Sequence, residues 1–168
     1  MPQAFHLDVN GATHSVRCEP DAPLLYILRN DLGLNSPKFG CGAAQCGSCA
    51  VLLDGQELRS CVMPVSAVGK GKLTTLEGLS VPAVKGSAKP PKLHPLQQAF
   101  LDEQAAQCGY CTSGMIIAAK ALLDRTPKPD ESAIRTALDG HICRCGTQNR
   151  IVKAVLRAAG TAPQGQVQ

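Results

Sequence analysis

Gly40-Cys41-Gly42-Ala43-Ala44-Gln45-Cys46-Gly47-Ser48-Cys49 crowds three cysteines onto one short loop, and a fourth, Cys61, follows beyond the next segment. The spacing is Cys-x4-Cys-x2-Cys-x11-Cys. A loop this dense in thiols demands positive φ angles and close backbone approach, which Gly40, Gly42 and Gly47 permit. Downstream, Ala50–Leu53 is predicted to be a buried strand that ends in the turn pair Asp54-Gly55. Upstream, Phe5, Leu7 and Val9 alternate with polar residues, as do Val16 and Cys18, on either side of Asn10-Gly11. That pair is a strong signal for a two-residue hairpin. After Pro20, the residues Leu24, Leu25, Leu28 and Leu32 share one helical face. Residues 61–65 and 73–76 are further short strand candidates. The region is therefore expected to be a small mixed sheet covered by one helix.

The texture then changes. Residues 80–94 hold Pro82, Pro90, Pro91 and Gly86 and show no period of 2 or 3.6, which predicts a linker stiffened by proline. Beyond it the apolar pattern is helical. Leu96, Ala99 and Phe100 mark one helix; Met115, Ile116, Ala119, Leu122 and Leu123 mark a second. Ile134, Ala137 and Leu138 mark a third, with Gly140 just past its end. Ile151, Val152, Val155 and Ala159 mark a fourth, with Thr147 as its cap. The organisation expected is residues 1–79 as one module, 80–94 as linker, 95–160 as a helical module and 161–168 as a disordered tail.

Nine cysteines in 168 residues are the unusual feature. The start of the chain lacks the basic and apolar stretch of a secretory signal, so a cytoplasmic setting with reduced thiols is expected. An odd count also leaves one thiol unpaired under any disulfide scheme. The first four cysteines carry the plant-type ferredoxin spacing for a [2Fe–2S] cluster held by four thiolates. Zinc takes four thiolates too, but usually on two short knuckles, whereas Cys61 stands alone. The second set is Cys108-x2-Cys111 and Cys143-x-Cys145. It lies at the mouths of two predicted helices, whose positive dipole ends favour an anionic centre. Taken alone it leaves zinc open. A Rieske centre does not fit, because no Cys-x-His pair exists. Cys18, on the Val16 face, is expected to pack in a core. The lone histidines His6, His14, His94 and His141 are expected at the surface or as caps.

Other classes are excluded by composition. The balance of 17 Lys and Arg against 13 Asp and Glu is too mild for a nucleic-acid footprint, and 3% aromatic residues give no stacking surface. No apolar run approaches the ~18 residues needed to span a bilayer. Gly69, Gly71 and Gly78 match no nucleotide-binding fingerprint. No nucleophile–base arrangement or carboxylate pair is visible, so no catalytic residue is assigned.

With both sets in view the chain resembles the small iron–sulfur subunit of the xanthine dehydrogenase/aldehyde oxidase family of molybdenum hydroxylases. The residues that carry the resemblance are Lys38-Phe39-Gly40-Cys41-Gly42, Cys46-Gly47-Ser48-Cys49, Arg59-Ser60-Cys61, Gln107-Cys108-Gly109-Tyr110-Cys111-Thr112-Ser113-Gly114 and Cys143-Arg144-Cys145-Gly146-Thr147. The resemblance implies an α+β chain, with a ferredoxin-like β-grasp domain followed by a four-helix bundle. It implies two [2Fe–2S] clusters, one on Cys41, Cys46, Cys49 and Cys61 and one on Cys108, Cys111, Cys143 and Cys145. The chain would then be the electron-transfer subunit of an oxidoreductase and not catalytic alone. A large partner subunit would hold a molybdopterin dinucleotide, with Gln107 and the Cys145 region touching it. The first cluster would face a flavin subunit or a cytochrome. The small-subunit form looks similar to those of enzymes oxidising isoquinoline, nicotinate or aldehydes. The loop 42–46 departs from the glycine- and acid-rich version of flavin-coupled members and is similar to that of some cytochrome-coupled relatives. The rival readings are a free ferredoxin-like carrier and a zinc-stabilised interaction module. Eight thiolates around two oxidised clusters would carry about −4 together, so the formal +4 reads as compensation for buried anionic centres.

Overall fold

The computed structural model describes residues 1–80 and 92–161. The predicted linker therefore lies largely outside the described residues, and so does all of the predicted tail except Thr161. Strands β1 (Gln3–Val9) and β2 (Ala12–Cys18) form the first hairpin. Its turn residues Asn10 and Gly11 have φ of 55° and 79°, the left-handed pair such a turn needs. A single helical turn α1 (Leu24–Tyr26) continues as a π-turn over Ile27–Asp31. Strands β3 (Ala50–Leu53) and β4 (Gln56–Arg59) form the second hairpin, with Asp54 and Gly55 at φ of 50° and 80°. Strand β5 (Lys72–Thr74) completes a sheet of order β2-β1-β5-β3-β4. It runs parallel to β1 and antiparallel to β3, so the sheet is mixed.

One face of this sheet buries Leu7, Val9, Val16, Val51 and Leu73 against Leu24, Ile27 and Leu28. Cys18 packs at the margin of that cluster, as its position beside Val16 predicts. Two strand expectations are corrected. Residues 61–65 are not a strand: the ladder ends at Arg59, and Pro64, which has no N–H to donate, leads into a 3-10 turn at Val65–Ala67. Residues 73–76 divide between β5 and the short helix α2 (Leu76–Leu79), with Thr75 between them.

Helices α3 (Pro95–Asp102), α4 (Thr112–Arg125), α5 (Glu131–Leu138) and α6 (Gln148–Ala158) share a second core. It is built from Leu96, Phe100, Met115, Ile116, Ile134, Ile151 and Val155, among others. Helix α4 is apolar nearly all round because it is covered on two sides. Ile116 and Ala119 face the other helices, while Ile117 and Ala121 pack on Ala50 and Leu52 of β3. The far face of the sheet is thus the seat of the helical module. His94 caps α3 as expected, its ring nitrogen accepting from the Leu96 N–H. Gly140 does not close α5 in a left-handed conformation. Instead Asp139 is the cap, and the His141 N–H reaches the Leu138 carbonyl.

Candidate metal centres

The loop after the π-turn is shaped around sulfur. The backbone N–H groups of Ala43 and Gln45 point at Cys41 Sγ, at 3.4 and 3.2 Å, and the Cys41 N–H points at Cys46 Sγ at 3.3 Å. Such donors stabilise a thiolate, and those of Ala43 and Gln45 pull the Cys41 thiol down to about 6. The close wrapping explains Gly40: a Cβ there would stand 2.6 Å from Cys46 Sγ. On the inner side, Cys49 and Cys61 are buried in contact with each other and with Leu25. Burial pushes the Cys49 thiol up to about 11. The Ser60 hydroxyl and N–H both bond to the Cys49 carbonyl, which holds the end of β4 against the loop and carries Cys61 to its partner.

The second set assembles from two distant segments. Cys111 is the first flanking residue of α4, and Cys143 and Cys145 precede α6. Cys108 Sγ and Cys145 Sγ lie 3.4 Å apart. Cys111 contacts Cys143; burial first and then this neighbour push its thiol up to about 12. The Tyr110 N–H is the main cause that draws Cys108 down. Thr147 occupies the flanking position of α6 without a side-chain cap bond, and its hydroxyl lies 3.7 Å from Cys143 Sγ.

The eight thiols therefore fall into four pairs: Cys41 with Cys46, Cys49 with Cys61, Cys108 with Cys145, and Cys111 with Cys143. Two pairs per site fit a binuclear cluster, in which each iron takes two thiolates. A single zinc ion needs four donors around one point. Among the described residues no three His, Cys, Asp or Glu side chains close around one ion position. Gln107 is exposed beside Cys108.

Two further features join the sites. The Ile142 N–H donates to the Cys46 carbonyl at 3.0 Å, so the two cysteine loops touch through backbone. His141 corrects the expectation of a surface or capping residue. Its side chain is 1% exposed, and Nε2 lies 2.9 Å from Glu57 Oε1 on β4. The partners are 84 residues apart in sequence, which is why no local pattern announces them. The one available signal is that Glu57 and Arg59 sit two apart, on the same face of a strand.

Comparison with known proteins agrees with this geometry. Residues 7–74 match the model of the 2Fe-2S iron-sulfur cluster binding domain, and residues 75–156 match that of the [2Fe-2S] binding domain. The chain is 54% identical to a subunit of the nicotinate dehydrogenase of Pseudomonas putida, over 96% of its own length and 98% of the relative's. The chain belongs to the small iron–sulfur subunits of the molybdenum hydroxylases. It is also 48% identical to the alpha subunit of isoquinoline 1-oxidoreductase from Brevundimonas diminuta, covering 84% of this chain and 88% of that one. Among solved structures, quinoline 2-oxidoreductase from Pseudomonas putida 86 superposes with a TM-score of 0.84 at 32% identity, covering 99% of both chains. The aldehyde oxidoreductase of Desulfovibrio desulfuricans gives 0.85 at 41% identity, over 94% of this chain but 17% of that longer one. As a member of this family the chain is an electron-transfer subunit of an oxidoreductase. Among the described residues no helix is long and apolar enough to cross a membrane.

Proposed function

We propose that the chain relays electrons to an external acceptor from a molybdopterin site on a large partner subunit. Its β-grasp module would hold one [2Fe–2S] cluster on Cys41, Cys46, Cys49 and Cys61. Its helical module, read as a four-helix bundle, would hold the other on Cys108, Cys111, Cys143 and Cys145. Such clusters supply one-electron uptake and release, which splits the two-electron oxidation of a substrate into single steps. The observation that carries this reading is the contact of the Ile142 N–H with the Cys46 carbonyl, which joins a ligand of one set to the neighbour of a ligand of the other. A lone carrier would have no use for a second set locked to the first.

The chain's own residues do the remaining work. The N–H groups of Ala43 and Gln45 hold negative charge on the exposed Cys41 sulfur. The burial of Cys49 and Cys61 keeps water from the inner pair. Exposed Gln107, Cys108 and Tyr110 leave the second site open on one side, which suits docking of the pterin-bearing partner there. Exposed Cys41 and Phe39 give the first site its own open side, for a cytochrome or flavin acceptor. The substrate is proposed to be an N-heteroaromatic compound, as the names of the relatives at 54% and 48% identity suggest.

The test is purification of the intact complex through a tag on this chain, followed by assay of molybdenum, flavin and haem. Molybdenum co-purifying with a much larger subunit is the result expected. A solitary, stable, redox-active chain would instead support the free carrier.

A further inference from the structure

His141 stands where the two modules meet, between β4, the loop that carries Cys46 and the start of α4. Its Nε2 lies 2.9 Å from Glu57 Oε1 and 3.1 Å from Arg59 Nη1, and both partners sit on β4 of the first module. Arg59 Nη2 also donates to the Gly140 carbonyl at 3.1 Å, so the arginine grips the same turn through backbone. Glu57 is itself in contact with Arg59. Burial raises its carboxyl, but the His141 bond and charge and then Arg59 outweigh this and hold it below the ordinary range.

The ring's other side meets backbone stripped of side chains. A Cβ on Gly47 would stand 2.2 Å from His141 Nδ1, and one on Gly114 would stand 2.2 Å from the Gly47 carbonyl oxygen. Gly47 follows Cys46, and Gly114 lies in the first turn of α4, just after Cys111. His141 itself precedes Cys143 by two residues. Three cysteine-bearing segments thus pack on one imidazole, with no room for an additional methyl group. Among the described residues His141 Nδ1 is buried without a partner, so the ring is held there by Nε2 and by shape.

We propose that His141 is a positioning residue for electron transfer, a spacer that fixes the separation of the two cluster loops, with Glu57 and Arg59 as its anchors. The inference rests on the two-cluster reading above. The bond from Ile142 to Cys46 is the contact it protects, because His141 is the preceding residue. Without the ring, the turn 140–142 is free to shift against Gly47. The short backbone bridge between the loops then lengthens or breaks while each set of four thiols remains intact.

The test uses the purified complex carrying His141→Ala, with Glu57→Gln and His141→Gln beside it. Three quantities are read: iron and sulfide per chain, the magnetic interaction between the two reduced clusters by EPR, and the rate of electron passage from one to the other. His141→Ala is expected to keep its iron and sulfide, to lose or reduce the magnetic splitting, and to slow the inter-cluster rate by about 10-fold, the lower end of what loss of an outer partner costs a metal site. Glu57→Gln should move both in the same direction by less. His141→Gln, whose amide can still donate to Glu57, should recover part of the loss. Should His141→Ala fail to retain iron, Glu57→Gln decides alone. Unchanged splitting and rate in iron-replete variants overturn the proposal, even if their unfolding midpoints fall, because a merely structural role predicts that pattern. Absence of iron from the wild-type complex would instead overturn the two-cluster reading.

Discussion

Ser113 Oγ donates to the Ser36 carbonyl at 2.6 Å, tying the first turn of α4 to the entry of the first cysteine loop. Ser36 is held in turn by Glu77, whose carboxylate accepts from the Ser36 N–H at 2.8 Å and from its hydroxyl. Glu77 also accepts from the Thr75 hydroxyl at 2.6 Å. The end of the sheet, the cysteine loop and the helical module are thereby joined in one hydrogen-bonded chain. With Ile117 and Ala121 against Ala50 and Leu52, this makes the two modules one packed unit.

That apolar seat can be tested by itself. Ile117 is 1% exposed and is the larger of the two buried α4 side chains against β3. Ile117→Ala should destabilise the protein by about 2–4 kcal/mol, through lost burial and the cavity left behind. Denaturant unfolding of both proteins measures it. A change under about 0.5 kcal/mol would mean the modules do not depend on this face.

The ligand sets predict separable losses. Cys41→Ser should remove one paramagnetic signal of the reduced protein and Cys143→Ser the other, with each variant keeping about half the iron. EPR of dithionite-reduced complexes reads this directly. A substitution that left both signals intact would place that cysteine outside its set.

Gly47 and Gly109 make a controlled pair. Both have φ of 78°, so alanine is strained by the backbone alone in either place. Among the described residues nothing lies within 4 Å of a Cβ on Gly109, whereas one on Gly47 meets the His141 ring. Gly109→Ala should cost about 1 kcal/mol, and Gly47→Ala clearly more, with a changed EPR signal. Equal unfolding midpoints would refute the close packing at Gly47.

How much was legible beforehand differs by element. The hairpins were, because Asn10-Gly11 and Asp54-Gly55 are local and chemically specific. The spacing of Cys41, Cys46, Cys49 and Cys61 is itself a signal, whereas Cys108, Cys111, Cys143 and Cys145 are ambiguous by spacing and are read only through the family resemblance. The role of Glu57 and Arg59 on the second hairpin arm was not legible, because both look solvent-exposed in sequence and only the tertiary fold turns them onto His141. The same blindness assigned His141 to the surface. Its burial depends on partners on β4 and on two glycines, Gly47 and Gly114, that themselves read as loop and helix-start residues.

Glu57 supplies a pH dependence. Its carboxyl is held below the ordinary value of 4.5 by His141 and Arg59, against the opposing push of burial. The stabilisation this gives is complete above the ordinary value and is lost as pH falls through the lower folded value. Wild type should therefore exceed Glu57→Gln in stability by about 1–2 kcal/mol near pH 7, and the gap should narrow only below about pH 4.5. Paired unfolding curves isolate the effect, since the acid sensitivity of the clusters is common to both proteins. A gap that stayed constant down to about pH 3 would contradict the assignment.

The central claim is that the eight cysteines hold two binuclear iron–sulfur clusters. Iron, zinc and acid-labile sulfide, measured on the intact complex as isolated, test it most directly. The account predicts about four iron atoms and about four sulfides per chain, with two distinct paramagnetic signals on reduction. Tightly bound zinc without sulfide would contradict it.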